Sequence, residues 1–123
     1  MAPRPTLPER LNLKVDFIPA GASNRSGRPL TPTFITVHNT ANAARGADAR
    51  QRQVAWHFSV DDRQCVQSLP LHERGLHAGT GLGNASSLGI EICENAGLDQ
   101  DAANGRAALL VAALLRRLGL GIA

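Results

Sequence analysis

A chain of 123 residues with 43% hydrophobic and 19% charged content is one domain's worth of sequence, long enough to bury a modest core without staples. The formal charge of +3 comes from 13 Lys+Arg against 10 Asp+Glu, and the arginines (Arg10, Arg25, Arg45, Arg63, Arg74 and Arg106 among them) are scattered, so the basic stripe of a nucleic-acid binder is not visible. With three Phe, one Trp and no Tyr, the aromatic platforms of a base-stacking module are lacking as well.

Residues 1–33 hold six of the seven prolines and read as an extended N-terminal arm with turns. Within it Leu11, Leu13, Val15 and Phe17 alternate as an edge strand would. No apolar segment of a secretory signal opens the chain. Phe34-Ile-Thr-Val-His38 is a β-branched run after a Pro-Thr break and predicts a strand ending at His38. Ala41–Arg52 is rich in Ala and Arg and predicts a brief helix. Val54–Val60 alternates as a strand, Asp61-Asp62 makes a turn, and Cys65–Leu69 returns as a second strand, closing a hairpin.

Leu71–Ser87 is glycine-rich and aperiodic, a long loop of the kind that carries function. Leu88–Cys93 is a further strand, and Asp101 is placed to cap a helix that runs to about Leu118 and stops at Gly119. The stripe Ala107, Leu110, Val111, Leu114, Leu115 and Leu118 implies that this helix is buried against a sheet. Its longest apolar run, Ala107–Leu115, is far short of the ~20 residues that span a bilayer. The fold class expected is α/β, a small mixed sheet with covering helices, residues 34–123 forming the functional domain behind the arm.

The side chains able to do chemistry fall at strand ends and in the glycine-rich loop. A strand end holds the His38 imidazole rigidly, which suits a metal ligand or a histidine bonded to a nearby carbonyl. Glu91 lies between Ile90 and Ile92, whose side chains point to the opposite face. A carboxylate in such a run is costly unless it opens into a cleft or is paired, and partial desolvation would suit it to general-base work; a surface-facing Glu is the other reading. His57, after Trp56, either lines a groove or packs. His72 reads as a surface residue. Cys65 and Cys93 are too few and too far apart for a disulfide framework or a paired-cysteine metal knuckle. A Cys93/His57 thiol hydrolase is disfavoured, since no oxyanion-type turn precedes Cys93 and no third orienting residue is evident.

Taken in order, His38-Asn-Thr40, Trp56-His-Phe58, Gly75-Leu-His-Ala-Gly79, Gly83-Asn-Ala-Ser-Ser87 and Gly89-Ile-Glu-Ile-Cys93 resemble the zinc-dependent N-acetylmuramoyl-L-alanine amidases of phage endolysins and bacterial autolysins, over roughly Phe34–Leu120. The resemblance implies a peptidoglycan-recognition-protein-like amidase fold, a Zn2+ cofactor, and hydrolysis of the amide joining N-acetylmuramic acid to L-alanine of the peptidoglycan stem. It implies that His38 is a zinc ligand and that Glu91 is the general base toward zinc-activated water. His57, His77 and Asn84 are then the substrate-binding residues, Asn84 chiefly by pinning its loop.

The family's other ligands, a histidine and a Cys or Asp, follow the long helix, so the resemblance places them past Ala123. That leaves His38 as the one family ligand here, and makes a non-catalytic peptidoglycan-binding remnant the alternative reading. The implied partners are peptidoglycan and a holin-type release protein, with no nucleic acid and no membrane insertion. The implied location is the cytoplasm until lysis or release, and the small positive charge would favour an anionic wall.

Overall fold

The segment Ser87-Leu-Gly-Ile-Glu-Ile-Cys93 is apolar or small at almost every position and almost wholly buried, the pattern of a strand covered on both faces. In the computed structural model, which describes residues 7–40, 54–78, 81–94 and 97–121, that segment is β5. It is flanked in parallel by β2 (Phe34–Thr40) and β3 (Phe58–Val60). The sheet is completed by β4 (Cys65–Gln67), antiparallel to β3, and by β1 (Leu13–Val15), parallel to β4. The order across the sheet is β1-β4-β3-β5-β2, a mixed five-stranded sheet of the expected class.

The hairpin turns as its sequence suggests. Asp61 Oδ1 accepts from the N–H groups of Arg63 and Gln64, both at 2.8 Å, so the aspartate side chain closes the turn that its backbone begins. The alternating arm strand is β1, and beyond it Asp16 N–H and Ile18 N–H bond to Gln67 O and Ser68 O, which extends the contact along β4. Leu11, in a short 3-10 turn over Glu9–Leu11, and Leu30 enter the same core as β3 and β5.

Two helices are described. The short α1 (Gly81–Ser86) stands where a glycine-rich loop was expected. Its final turn is fixed by a side chain, since Ser87 Oγ donates to Gly83 O at 2.8 Å, and tertiary anchoring overrides weak local propensity. The long α2 (Gln100–Leu118) ends as expected at Gly119, whose φ of 69° is the left-handed conformation of a C-cap. Its start is corrected: Asp99, not Asp101, is the N-cap, accepting from Ala102 N–H at 3.1 Å. Asp101 sits two residues on, in the first turn, where a carboxylate still complements the helix dipole. The brief helix expected over Ala41–Arg52 lies outside the described residues.

α2 lays Ala107, Leu110 and Leu114 onto Leu88 and Ile90 of β5 and Phe58 and Val60 of β3. Strand alternation sends Ser87, Gly89, Glu91 and Cys93 to the other face, so one face of β5 makes the core and the other is left for chemistry. Leu110→Ala, at a fully buried position in the centre of α2, is expected to lower the unfolding free energy by about 2–5 kcal/mol, measured by urea titration followed by circular dichroism.

Candidate active site

Register does the first part of the assembly. His38 of β2 stands opposite Glu91 of β5, and Glu91 stands opposite Ser59 of β3. Strands in register are about 4.8 Å apart, so His38, Glu91 and Ser59 form a row across one sheet face. Thr36 Oγ1, two residues back from His38 on β2, donates to Ser87 Oγ, four residues back from Glu91 on β5, at 2.9 Å, which fixes the shared face. Glu91 is 9% exposed and His38 half-buried. Ser59 is buried, with Trp56 Nε1 donating to its hydroxyl.

His77 completes the group from the loop after β4. Asn84 Oδ1 accepts from the backbone N–H groups of both His77 and Ala78 at 2.9 Å, so Asn84 pins the loop that carries the imidazole. Two glycines then clear the space the ring occupies. A Cβ on Gly89 would stand 2.6 Å from His77 Cγ, and one on Gly75 2.9 Å from His77 Cδ2. An isolated glycine inside a strand signals this kind of close approach, and Leu88-Gly89-Ile90 carries that signal in the sequence. The ring lies edge-on to His38, with centroids 5.5 Å apart and planes at 75°. His77 Nδ1 is 3.3 Å from His38 Nε2.

His57 is placed differently from its neighbours. It is fully enclosed, and both ring nitrogens meet backbone. Nδ1 accepts from Gly89 N–H at 3.0 Å, so Nε2 carries the proton and donates to Glu73 O at 2.7 Å. Of the two readings left open for it, the ring occupies the packed one. Its contribution is to bolt β5 to the loop that presents His77. The outer end of that bolt is held by Arg25, which meets Glu73 at 2.7 and 3.0 Å and donates from Nη1 to Ile18 O at 2.7 Å. The paired Arg25 guanidinium holds the Glu73 carboxyl below its ordinary range. The role of Glu73 rests on a backbone carbonyl, and sequence gives no signal for that. His72 is exposed.

Burial pushes the His57 imidazole down to about 4, and burial likewise lowers His77, with the neighbouring His38 adding to the effect. Burial thus favours the neutral form of both rings, the form a metal ligand takes. Zinc accepts imidazole nitrogens at strand ends readily, and His38 and His77 offer two of suitable kind. Among the described residues no group of three His, Cys, Asp or Glu side chains converges. Cys65 and Cys93 are both buried and form no disulfide with each other, and burial raises the Cys65 thiol to about 12.

A family model described as N-acetylmuramoyl-L-alanine amidase matches residues 27–123, and the chain belongs to that family. It is 47% identical over 124 residues to the N-acetylmuramoyl-L-alanine amidase XlyA of Bacillus subtilis (strain 168), covering 92% of this chain and 42% of XlyA. It is 45% identical over 118 residues to CwlH of the same organism, covering 86% of this chain and 47% of that protein. The chain thus spans less than half the length of these curated relatives. The solved catalytic domain of XlyA superposes with a TM-score of 0.80 at 47% identity, covering 89% of this chain and 79% of that one.

Two outcomes check this geometry. Gly89→Ala puts a methyl into the His77 ring, and is expected to destabilise the fold by about 1–3 kcal/mol and to shift the His77 ring resonances, read by urea titration and NMR. The second is a pH dependence. Unfolded, His57 takes up a proton below its ordinary 6.5, whereas in the fold it does so only near 4. Its contribution is therefore complete above pH 6.5 and is lost as pH falls toward 4, by on the order of 3 kcal/mol. His57→Gln is expected to flatten that part of the stability-versus-pH curve.

Proposed function

We propose that this chain carries the bond-cleaving half of a peptidoglycan amidase, acting on the amide between N-acetylmuramic acid and the L-alanine that begins the stem peptide. The observation that carries the reading is the row in which Glu91 stands directly beside His38, with His77 closing over the same spot. A carboxylate and a metal-type imidazole side by side on one sheet face are the minimum for hydrolysis by activated water.

In this reading His38 holds zinc, which supplies Lewis-acid polarisation of the lactyl carbonyl when bound. Glu91 takes the proton of the attacking water and delivers it to the alanine nitrogen. The carbonyl carbon gains a C–O bond, the C–N bond breaks, and the products are a free lactyl carboxylate and a new alanine amino group. The Ile90 and Ile92 side chains, on the core side, keep β5 from shifting as Glu91 exchanges its proton. His77 and the loop pinned by Asn84 form the wall along which the stem peptide lies. His57 contributes by holding Gly89 and the Glu73 carbonyl in place behind that wall.

A second reading, a peptidoglycan-binding domain without catalysis, is favoured by one observation: no three-ligand cluster occurs among the described residues. The two separate on one experiment. In an active protein containing these residues, Glu91→Gln is expected to cut the release of new N-terminal alanine from purified cell walls by roughly 10²–10⁴-fold while co-sedimentation with insoluble walls persists. Undiminished release excludes Glu91 as the acid–base group. Wall binding with no release from the unaltered protein selects the second reading.

A further inference from the structure

We propose that Arg28 and Arg74 form a carboxylate subsite on the loop that carries His77, where they read an acid group of the stem peptide beyond the cleaved amide. The proposal rests on the amidase reading and adds to it the side chains that choose among stem peptides.

Backbone pairing brings the two arginines together. Pro29 of the arm and Glu73 of the loop form an antiparallel bridge. In that register Arg28 stands opposite Arg74, whose N–H donates to Arg28 O at 2.8 Å. Ser26 locks the pair, since its hydroxyl donates to Arg74 O at 2.5 Å and accepts from Arg28 N–H at 3.1 Å. Side chains directly opposite in an antiparallel pair share a face, and like charges there repel. Among the described residues no carboxylate is paired with either guanidinium. Glu73, beside Arg74 in sequence, gives both its oxygens to Arg25 instead.

The space between them suits one oxyanion. Arg28 and Arg74 line a cleft of about 230 Å3 together with Leu76 and Asn84, smaller than the roughly 300–1,000 Å3 that takes a drug-sized molecule. Arg74 Nε is buried and has no acceptor among the described residues, a costly state for a polar group. The planar fork of an arginine meets a carboxylate with two parallel N–H groups. A carboxylate in the cleft would therefore offset the repulsion between the two cations and supply the acceptors they lack.

Position ties the cleft to the reaction. Asn84 lines it and also pins the loop by accepting from the N–H groups of His77 and Ala78. Bridges at Glu73 and Leu76 hold the intervening chain extended, so Arg74 stands about 10 Å along the loop from His77. A carboxylate two or three residues along an extended peptide lies about 7–10 Å from the cleaved amide. Arg28 is exposed and Arg74 half-buried, which leaves the cleft open to a polymeric substrate.

The test compares two soluble probes on the 123-residue chain: N-acetylmuramoyl-L-alanyl-D-glutamate, with a free α-carboxylate, and its α-amide. Binding is followed in 15N spectra that resolve the arginine Nε–H groups. The acid is expected to bind at least about tenfold more tightly than the amide and to shift the Arg74 Nε–H resonance. Arg28→Gln and Arg74→Gln, each checked for folding by far-UV circular dichroism, are each expected to remove most of that preference. Arg116→Gln, at an exposed position on α2, should leave it intact. Because Arg28 is exposed, its variant decides the matter even where Arg74→Gln disturbs the fold.

Equal binding of the acid and the amide, or binding of neither, overturns the proposal, as does a preference that survives Arg28→Gln. Inorganic phosphate tests the other source of an oxyanion. An Arg74 Nε–H shift with phosphate but with neither probe assigns the cleft to a wall phosphate and overturns the stem-peptide assignment. Release of alanine from purified walls is scored separately, in an active protein containing these residues. Preference for the acid with no release keeps the subsite and removes the catalytic reading, and release with equal binding of the two probes does the reverse.

Discussion

The parallel pairing of β2 with β5 is the constraint on which the rest of the structure depends. These strands come from segments about fifty residues apart, and they meet with His38 opposite Glu91. Because side chains alternate along a strand, a slip of one residue would carry Glu91 into the apolar layer under α2 and bring Ile90 or Ile92 onto the open face. Burying Leu88 and Ile90 against Ala107, Leu110 and Leu114 prevents that slip. The hydrophobic core therefore determines which residues stand together on the opposite face, and the chemistry follows from packing it does not touch.

Beside the sheet face away from α2, three imidazoles crowd together, one of them enclosed: His77 lies 5.5 Å from His38 and 5.9 Å from the buried His57 by ring centroids. Such crowding is tolerable only if the rings stay uncharged and their nitrogens are accounted for. Backbone does most of this work. Gly89 N–H and Glu73 O take both nitrogens of His57, and Ser87 O takes one of His77. The other nitrogen of His77 meets His38 Nε2 at 3.3 Å. Gly89 serves twice, donating its N–H to one histidine and, by lacking a side chain, admitting another. The Arg25–Glu73 pair ties the N-terminal arm to the same loop, so a segment remote from the open face in sequence helps to hold its wall in position.

Much of this was legible in the sequence, and for identifiable reasons. The β-branched run before His38 and the Ile-Glu-Ile alternation are local strand signals. The apolar stripe of α2 and its terminal Gly119 are local helix signals, and each produced the element expected. Strand order and register were not legible, because they arise from which apolar faces pack rather than from any local preference. The helix Gly81–Ser86 is not legible, since glycines argue against a helix and the bonds that fix it are tertiary. Asp99 and Asp101 are both acceptable cap residues two positions apart, so local sequence does not choose between them. The motifs flagged His57 and His77 as a pair of groove residues. They could not show that one is sealed behind the sheet face while the other reaches His38, because those positions depend on the carbonyls of Glu73 and Ser87 and on the space above Gly75 and Gly89.

The most direct test of the central claim is the β2–β5 register itself, read from interstrand nuclear Overhauser contacts in the isotope-labelled chain. The account predicts backbone contacts that pair His38 with Glu91 and Val37 with Ile90. Contacts pairing His38 with Ile90 or Ile92 would contradict it, since the carboxylate would then face the core and no row of His38, Glu91 and Ser59 would exist.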